Sequence, residues 1–221
     1  EEQLGWIAVA QREWARLNPL SIFRDPMSIE DYLMSPHIAE PLRRADLTMI
    51  SDGGAALVLT RAERAADCAK PPVHIAGIAE RTALRGYQNA DNLMRPWLSA
   101  TADDLWRTTG VRPEDIDALY VQDATSVWVL QMLEAYGFCG PGEAGPFLQE
   151  GHTRPGGRLP VNTNGGQLSE SYMWGWLHLC EAVRQLRGEC GDRQIRQPTY
   201  ALDCSSHDFL KAAATLLTVA S

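Results

Sequence analysis

The chain has 221 residues, 45% of them hydrophobic and 22% charged, and its 28 Asp and Glu outweigh 20 Lys and Arg to leave a formal net charge of -8. That is length enough for one or two globular domains with a sizeable core, and scattered arginines in an acidic chain exclude nucleic acid, whose phosphates demand clustered cations. No CxxC pair joins the five cysteines and no apolar run is long enough to cross a bilayer, so the expectation is a cytoplasmic protein without a disulfide framework or a membrane span.

The chain opens inside an amphipathic helix over residues 1–17, with Leu4, Ile7, Ala8, Trp14 and Leu17 near helical spacing and no starting methionine, as though sequence preceded it. Asn18-Pro19 ends that helix. Residues 19–45 read as irregular and punctuated by proline, with a short acidic helix start at Ser28. Two apolar runs within residues 49–60 predict buried strand pieces around a Gly53-Gly54 bend. A short helix over 61–68 stops before Pro71-Pro72, the expected boundary between a first unit, 1–71, and a second, 72–221.

From there strand and helix patterns alternate. A strand is expected over 73–79, a helix over 101–109 capped by Gly110, a strand over 116–122 and a helix over 127–136. A Gly-rich excursion (137–157) and a strand (159–162) lead to the strongest helical pattern. There Tyr172, Trp176, Leu179, Val183 and Leu186 predict one buried face. Two apolar pieces, 199–202 and 212–219, close the chain as strands, and the alternation makes 72–221 a layered α/β domain.

Three places invite a chemical reading. Gly165-Gly166 lies between strand and helix, where backbone N–H groups could cradle an anion, but a plain turn explains it as well because no P-loop or dinucleotide spacing accompanies it. Tyr172 puts a phenol at the mouth of a strand-to-helix crossover, where α/β folds keep their chemistry, or else is a core tyrosine. Cys204 and His207, just after a strand, suit either a thiolate acid/base pair or a half-buried cysteine at a turn. Too few ligands cluster for a metal, and His37, His74, His152 and His178 stand isolated as structural or surface residues.

Taken together, Ser51-Asp-Gly-Gly-Ala-Ala56, Leu133-Glu-Ala-Tyr-Gly-Phe-Cys-Gly-Pro-Gly-Glu-Ala-Gly145, Pro160-Val-Asn-Thr-Asn-Gly-Gly166 and the Cys204 turn follow one another in the order found in the thiolase superfamily. The chain resembles above all its lipid-transfer branch, which includes sterol-carrier-type thiolases and the thiolase-like aldolases of bacterial steroid side-chain degradation. The resemblance implies a layered αβαβα thiolase-like fold with its C-terminal half complete and its N-terminal half truncated, lacking the region of the family's reactive cysteine. It also implies an acyl-CoA thioester as substrate with no further cofactor, a homodimer formed through the N-terminal halves, and a small OB-fold partner protein.

Tyr172 stands where thiolases carry the histidine that activates their nucleophile, and Gln122 opens the segment matching the family's Asn-Glu-Ala-Phe or His-Asp-Cys-Phe motif. Cys204 matches the acid/base cysteine, with Ser206 in place of that motif's glycine. A phenol with a pKa of about 10 is a poor activator, so the resemblance implies retro-aldol cleavage of a β-hydroxyacyl-CoA in place of thiolysis. Tyr172 and Cys204 would be its acid/base groups and Gln122 its oxyanion donor. Asn164, Gly165, Gly166, Ser206 and His207 would contact the substrate. Gln122, which cannot titrate, and Ser206 equally suit a non-catalytic acyl-CoA or sterol-binding subunit; a thiolase or acyltransferase with its cysteine outside this chain is the third reading.

Overall fold

The computed structural model describes residues 1–82, 96–207 and 211–220; the side chains of Ala66, Pro96 and His207 lie outside that description. The amphipathic opening forms α1 (Glu2–Arg16), which sends Leu4, Ile7 and Ala8 into the main apolar cluster. Ser28 caps α2 (Ile29–Met34), its hydroxyl accepting from the Asp31 N–H while Asp31 accepts from the Ser28 N–H. A small hairpin follows, β1 (His37–Ala39) with β2 (Leu42–Arg43), too short to leave a readable pattern.

Residues 49–60 correct the expectation of buried strands. Among the described residues they pair with no strand, and Ile50, Val58 and Leu59 are 106%, 96% and 78% exposed. Apolar runs specify a strand only when a neighbouring strand takes up their backbone groups, and among the described residues this segment has none. The expected helix over 61–68 is a 3-10 helix, Ala62–Asp67.

The remaining elements are β3 (His74–Thr82), α3 (Pro96–Thr109), β4 (Ala118–Val121), α4 (Ser126–Ala135), α5 (Ala144–Gln149), α6 (Gly166–Ser169), α7 (Trp176–Leu186), β5 (Tyr200–His207) and β6 (Lys211–Thr218). They build a mixed sheet in the order β3-β6-β5-β4, with β4 parallel to β5 and the other pairs antiparallel. The strand expected over 159–162 is a single rung, Val161 bridging Leu119 on the outer side of β4. Within the Gly-rich excursion, α5 buries Phe147 and Leu148.

Strand alternation divides the core. Leu119, Val121, Leu202 and Cys204 join the cluster of α1, α3 and α4; Ala118, Tyr120 and Ala201 face Ala182 and Leu186 of α7. On α7 the helix is where the pattern put it, but the buried face is another one. Trp176 is 53% exposed and Leu179 and Val183 are half-buried, whereas His178, Glu181, Ala182, Gln185 and Leu186 are buried. Tyr172 precedes the helix in a turn and is half-buried. The apolar and polar stripes share one period, so spacing cannot choose between them; partners do. Arg193 Nε lies 2.7 Å from Glu181, Gln185 donates to the Arg193 carbonyl at 2.7 Å, and the Ile195 N–H donates to Gln185 at 3.0 Å.

Candidate active site

Every residue from 161 to 170 is buried, and the hydrogen bonds of this segment explain how a polar loop can be. Asn162 adopts φ 51 and exchanges two bonds with Val121, its Oδ1 accepting from the Val121 N–H at 2.8 Å and its Nδ2 donating to the carbonyl at 3.1 Å. Asp123, two residues beyond β4, accepts from the N–H of Gln167 at 3.0 Å and from His178 Nε2 at 2.9 Å. One carboxylate therefore caps the α6 turn and anchors the start of α7. Asn164 contacts the other His178 nitrogen, Nδ1, at 3.2 Å and donates to Glu170, which also accepts from Asn18 at 3.0 Å.

Burial opposes a charge on His178, but the Asp123 hydrogen bond, with the charges of Asp123, Asp203 and Glu170, outweighs it and raises the imidazole pKa. Glu170 is raised by burial despite its two Asn donors. Sequence spacing hid this constellation. His178 looks isolated because its partners stand 55 and 14 residues away; the one available signal was the polar stripe His178, Glu181, Gln185 on a strongly apolar helix.

Gly165 and Gly166 shape the loop. Both adopt positive φ, 104° and 68°, and a methyl on Gly166 would collide with the Asp123 carboxylate and the Gln11 amide. Their N–H groups are already used: Gly165 donates to the Asn162 carbonyl at 2.8 Å and Gly166 faces Asn164 Oδ1 at 3.4 Å. With Asn164 committed to Glu170 and His178, three of the five residues expected to contact substrate are engaged inside the protein. Gly166→Ala should cost about 1–3 kcal/mol, read as a lowered urea midpoint with unchanged slope.

The turn that leads from α6 to α7 carries Tyr172. Its backbone N–H donates to Ser51 Oγ at 2.9 Å, and its ring packs on Trp174 with centroids 5.5 Å apart. Tyr172, Met173, Trp174 and Trp176 form one wall of an open cleft of about 650 Å³, opposite Ser51, Ala55, Leu57 and Leu59. Gln122 lies beside the same turn: a methyl on Gly175 would sit 3.7 Å from its Cγ. Among the described residues, none hydrogen-bonds to the Gln122 amide, which leaves a donor available at the sheet's end.

Cys204 is fully buried on the opposite face of the sheet, its thiol 3.4 Å from the Tyr120 carbonyl. Burial, with the neighbouring Asp203 charge, raises its pKa well above the usual thiol range. Such a thiol stays protonated at neutral pH. Ser206 is buried and donates to the Lys211 carbonyl at 2.8 Å. The His207 side chain and all of Asp208 lie outside the described residues, so the Cys204–His207 pairing has no described geometry.

The model of a thiolase C-terminal domain-like family matches residues 79–219. The chain belongs to that family. Over 193 residues this thiolase-like chain is 39% identical to the steroid side-chain-cleaving aldolase of Thermomonospora curvata, covering 85% of this chain and 49% of that protein. Over 190 residues it is 39% identical to the 17-hydroxy-3-oxo-4-pregnene-20-carboxyl-CoA lyase of Mycobacterium tuberculosis, covering 83% and 49%. A solved structure of an Ltp2-ChsH2(DUF35) aldolase matches with a TM-score of 0.93 and 35% identity, over 98% of this chain and 58% of that one. The thiolase-like chain spans about half the length of the curated relatives it matches. Its mixed sheet with helices on both faces agrees with the α/β class that the motifs implied.

Proposed function

We propose that this chain supplies part of an aldolase that cleaves a carbon–carbon bond in a β-hydroxyacyl-CoA bearing a steroid side chain. The observation that carries this reading is that Tyr172 walls an aromatic-lined apolar cleft and belongs to the same turn whose Gly175 lies beside Gln122. The names of the two bacterial relatives support the bond type and the thioester.

In the proposed step Tyr172, acting as its phenolate, accepts the β-hydroxyl proton and later returns it to the α-carbon of the enolate. The electrons of the Cα–Cβ bond pass to the thioester as an enolate, a ketone departs, and the Gln122 amide donates to the enolate oxygen. No covalent acyl-enzyme is needed. Cys204, protonated and enclosed on the far face, is left out of the proton path, and Asn164, Gly165 and Gly166 hold the loop without touching substrate. We place the enzyme in the cytoplasm, consistent with five free cysteines, as a homodimer with a small OB-fold partner; the solved complex of a relative supports the presence of a partner protein.

Incubating the complete enzyme with a β-hydroxyacyl-CoA of steroid type should release a ketone and a shortened acyl-CoA. Tight binding without product would establish the rival reading, a binding subunit, which the non-titrating Gln122 favours. An acyl-enzyme detected by mass spectrometry would instead establish a thiolase or acyltransferase.

A further inference from the structure

The turn between α6 and α7 does not hold itself. Trp174 and Gly175 both adopt left-handed conformations, φ 53° and 83°, and that conformation is unfavourable for a residue as bulky as tryptophan unless neighbours impose it. At the start of the turn the Tyr172 N–H donates to Ser51 Oγ at 2.9 Å, and Ser51 Oγ also meets Ser171 Oγ at 2.9 Å. At its end the Gly175 N–H donates to Gln167 Oε1 at 3.0 Å. Gly175 lies beside the Gln122 side chain, so the end that Gln167 holds is also the end that abuts the residue following β4.

Gln167 is committed to that contact. It is 1% exposed, and its own N–H donates at 3.0 Å to Asp123, the carboxylate that also meets His178. Because an N–H must face an oxygen, the bond to Gly175 turns the amide nitrogen the other way, where among the described residues it meets no acceptor. A buried donor left without a partner opposes folding, and an apolar side chain of the same length would fill the space without that penalty. What the amide contributes is therefore the bond to the turn.

We propose that Gln167 is a positioning residue of the cleavage reaction: by holding Gly175 it fixes the turn that carries Tyr172, and so the place of the phenol in the cleft. The inference rests on the aldolase reading above. Gln167 is not among the residues that line the cleft and it moves no proton; it acts through Tyr172. Misplacing a reacting group by about 1 Å is enough to lose on the order of 10²-fold in rate.

The test is a double-substitution cycle on the complete enzyme with a steroid-type β-hydroxyacyl-CoA. Gln167→Met, which keeps the length and removes the acceptor, should lower kcat by roughly 10–10²-fold with KM little changed. In a Tyr172→Phe background the same substitution should lower kcat by less than about two-fold, because a residue that acts through the phenol has nothing left to place. Losses that multiply are what a merely structural role gives. That outcome, or a Gln167→Met enzyme with wild-type kcat, overturns the positioning role and leaves the aldolase reading standing. A wild-type enzyme that binds the thioester but never cleaves it overturns both. Should Gln167→Met not fold, Gln167→Asn, which draws the amide back by one methylene, is read in the same cycle against the same outcomes.

Discussion

Tyr172→Phe should lower kcat by roughly 10²–10⁴-fold while leaving the dissociation constant for the acyl-CoA nearly unchanged. The substitution removes one oxygen and keeps the ring that packs on Trp174 and walls the cleft. Rate and affinity are therefore expected to separate. Measuring kcat by ketone release and affinity by calorimetry distinguishes this outcome from a cleft-lining role, in which both would change together or neither would. A Tyr172→Phe enzyme with wild-type kcat would remove the phenol from the chemistry.

The second large effect is structural. Asp123→Ala breaks a buried pair with His178 and uncaps the Gln167 N–H, so it should cost about 3–5 kcal/mol and lower the melting temperature by roughly 10 °C or more. Asp123→Asn keeps an oxygen that can accept from either donor, and its loss should be smaller. The sign of the pH dependence follows from the raised His178 pKa. Stability drawn from the charged imidazole is fully present below its unfolded value and is lost as pH rises through the folded one. The gap between wild type and Asp123→Ala should thus be wider at about pH 6 than at about pH 9, as paired denaturant titrations would show.

Sequence pattern located most of the sheet and its helices. Strands near 73–79, 199–202 and 212–219 are β3, β5 and β6, and the helices near 101–109 and 127–136 are α3 and α4. It failed where a segment's state depends on something distant. Residues 49–60 carry a strand's composition but among the described residues have no strand to pair with, and α7 carries two stripes of equal period, of which the polar one has its partners on other elements. The candidate site divides along the same line. Motif position alone singles out Tyr172 and Gln122 as candidates. Asp123 and His178 are not so singled out, since what joins them is a contact across the fold.

The place of β6 in the sheet also fixes when the domain can form. β6 lies between β3 and β5, and His74 pairs with Thr218, so the earliest strand of the sheet has no neighbour until its last strand has been made. At translation rates of about 5–20 residues per second, β3 waits on the order of ten seconds on the ribosome with Ile75 and Ile78 on an open edge. Loop closure of that span makes folding slow even after release.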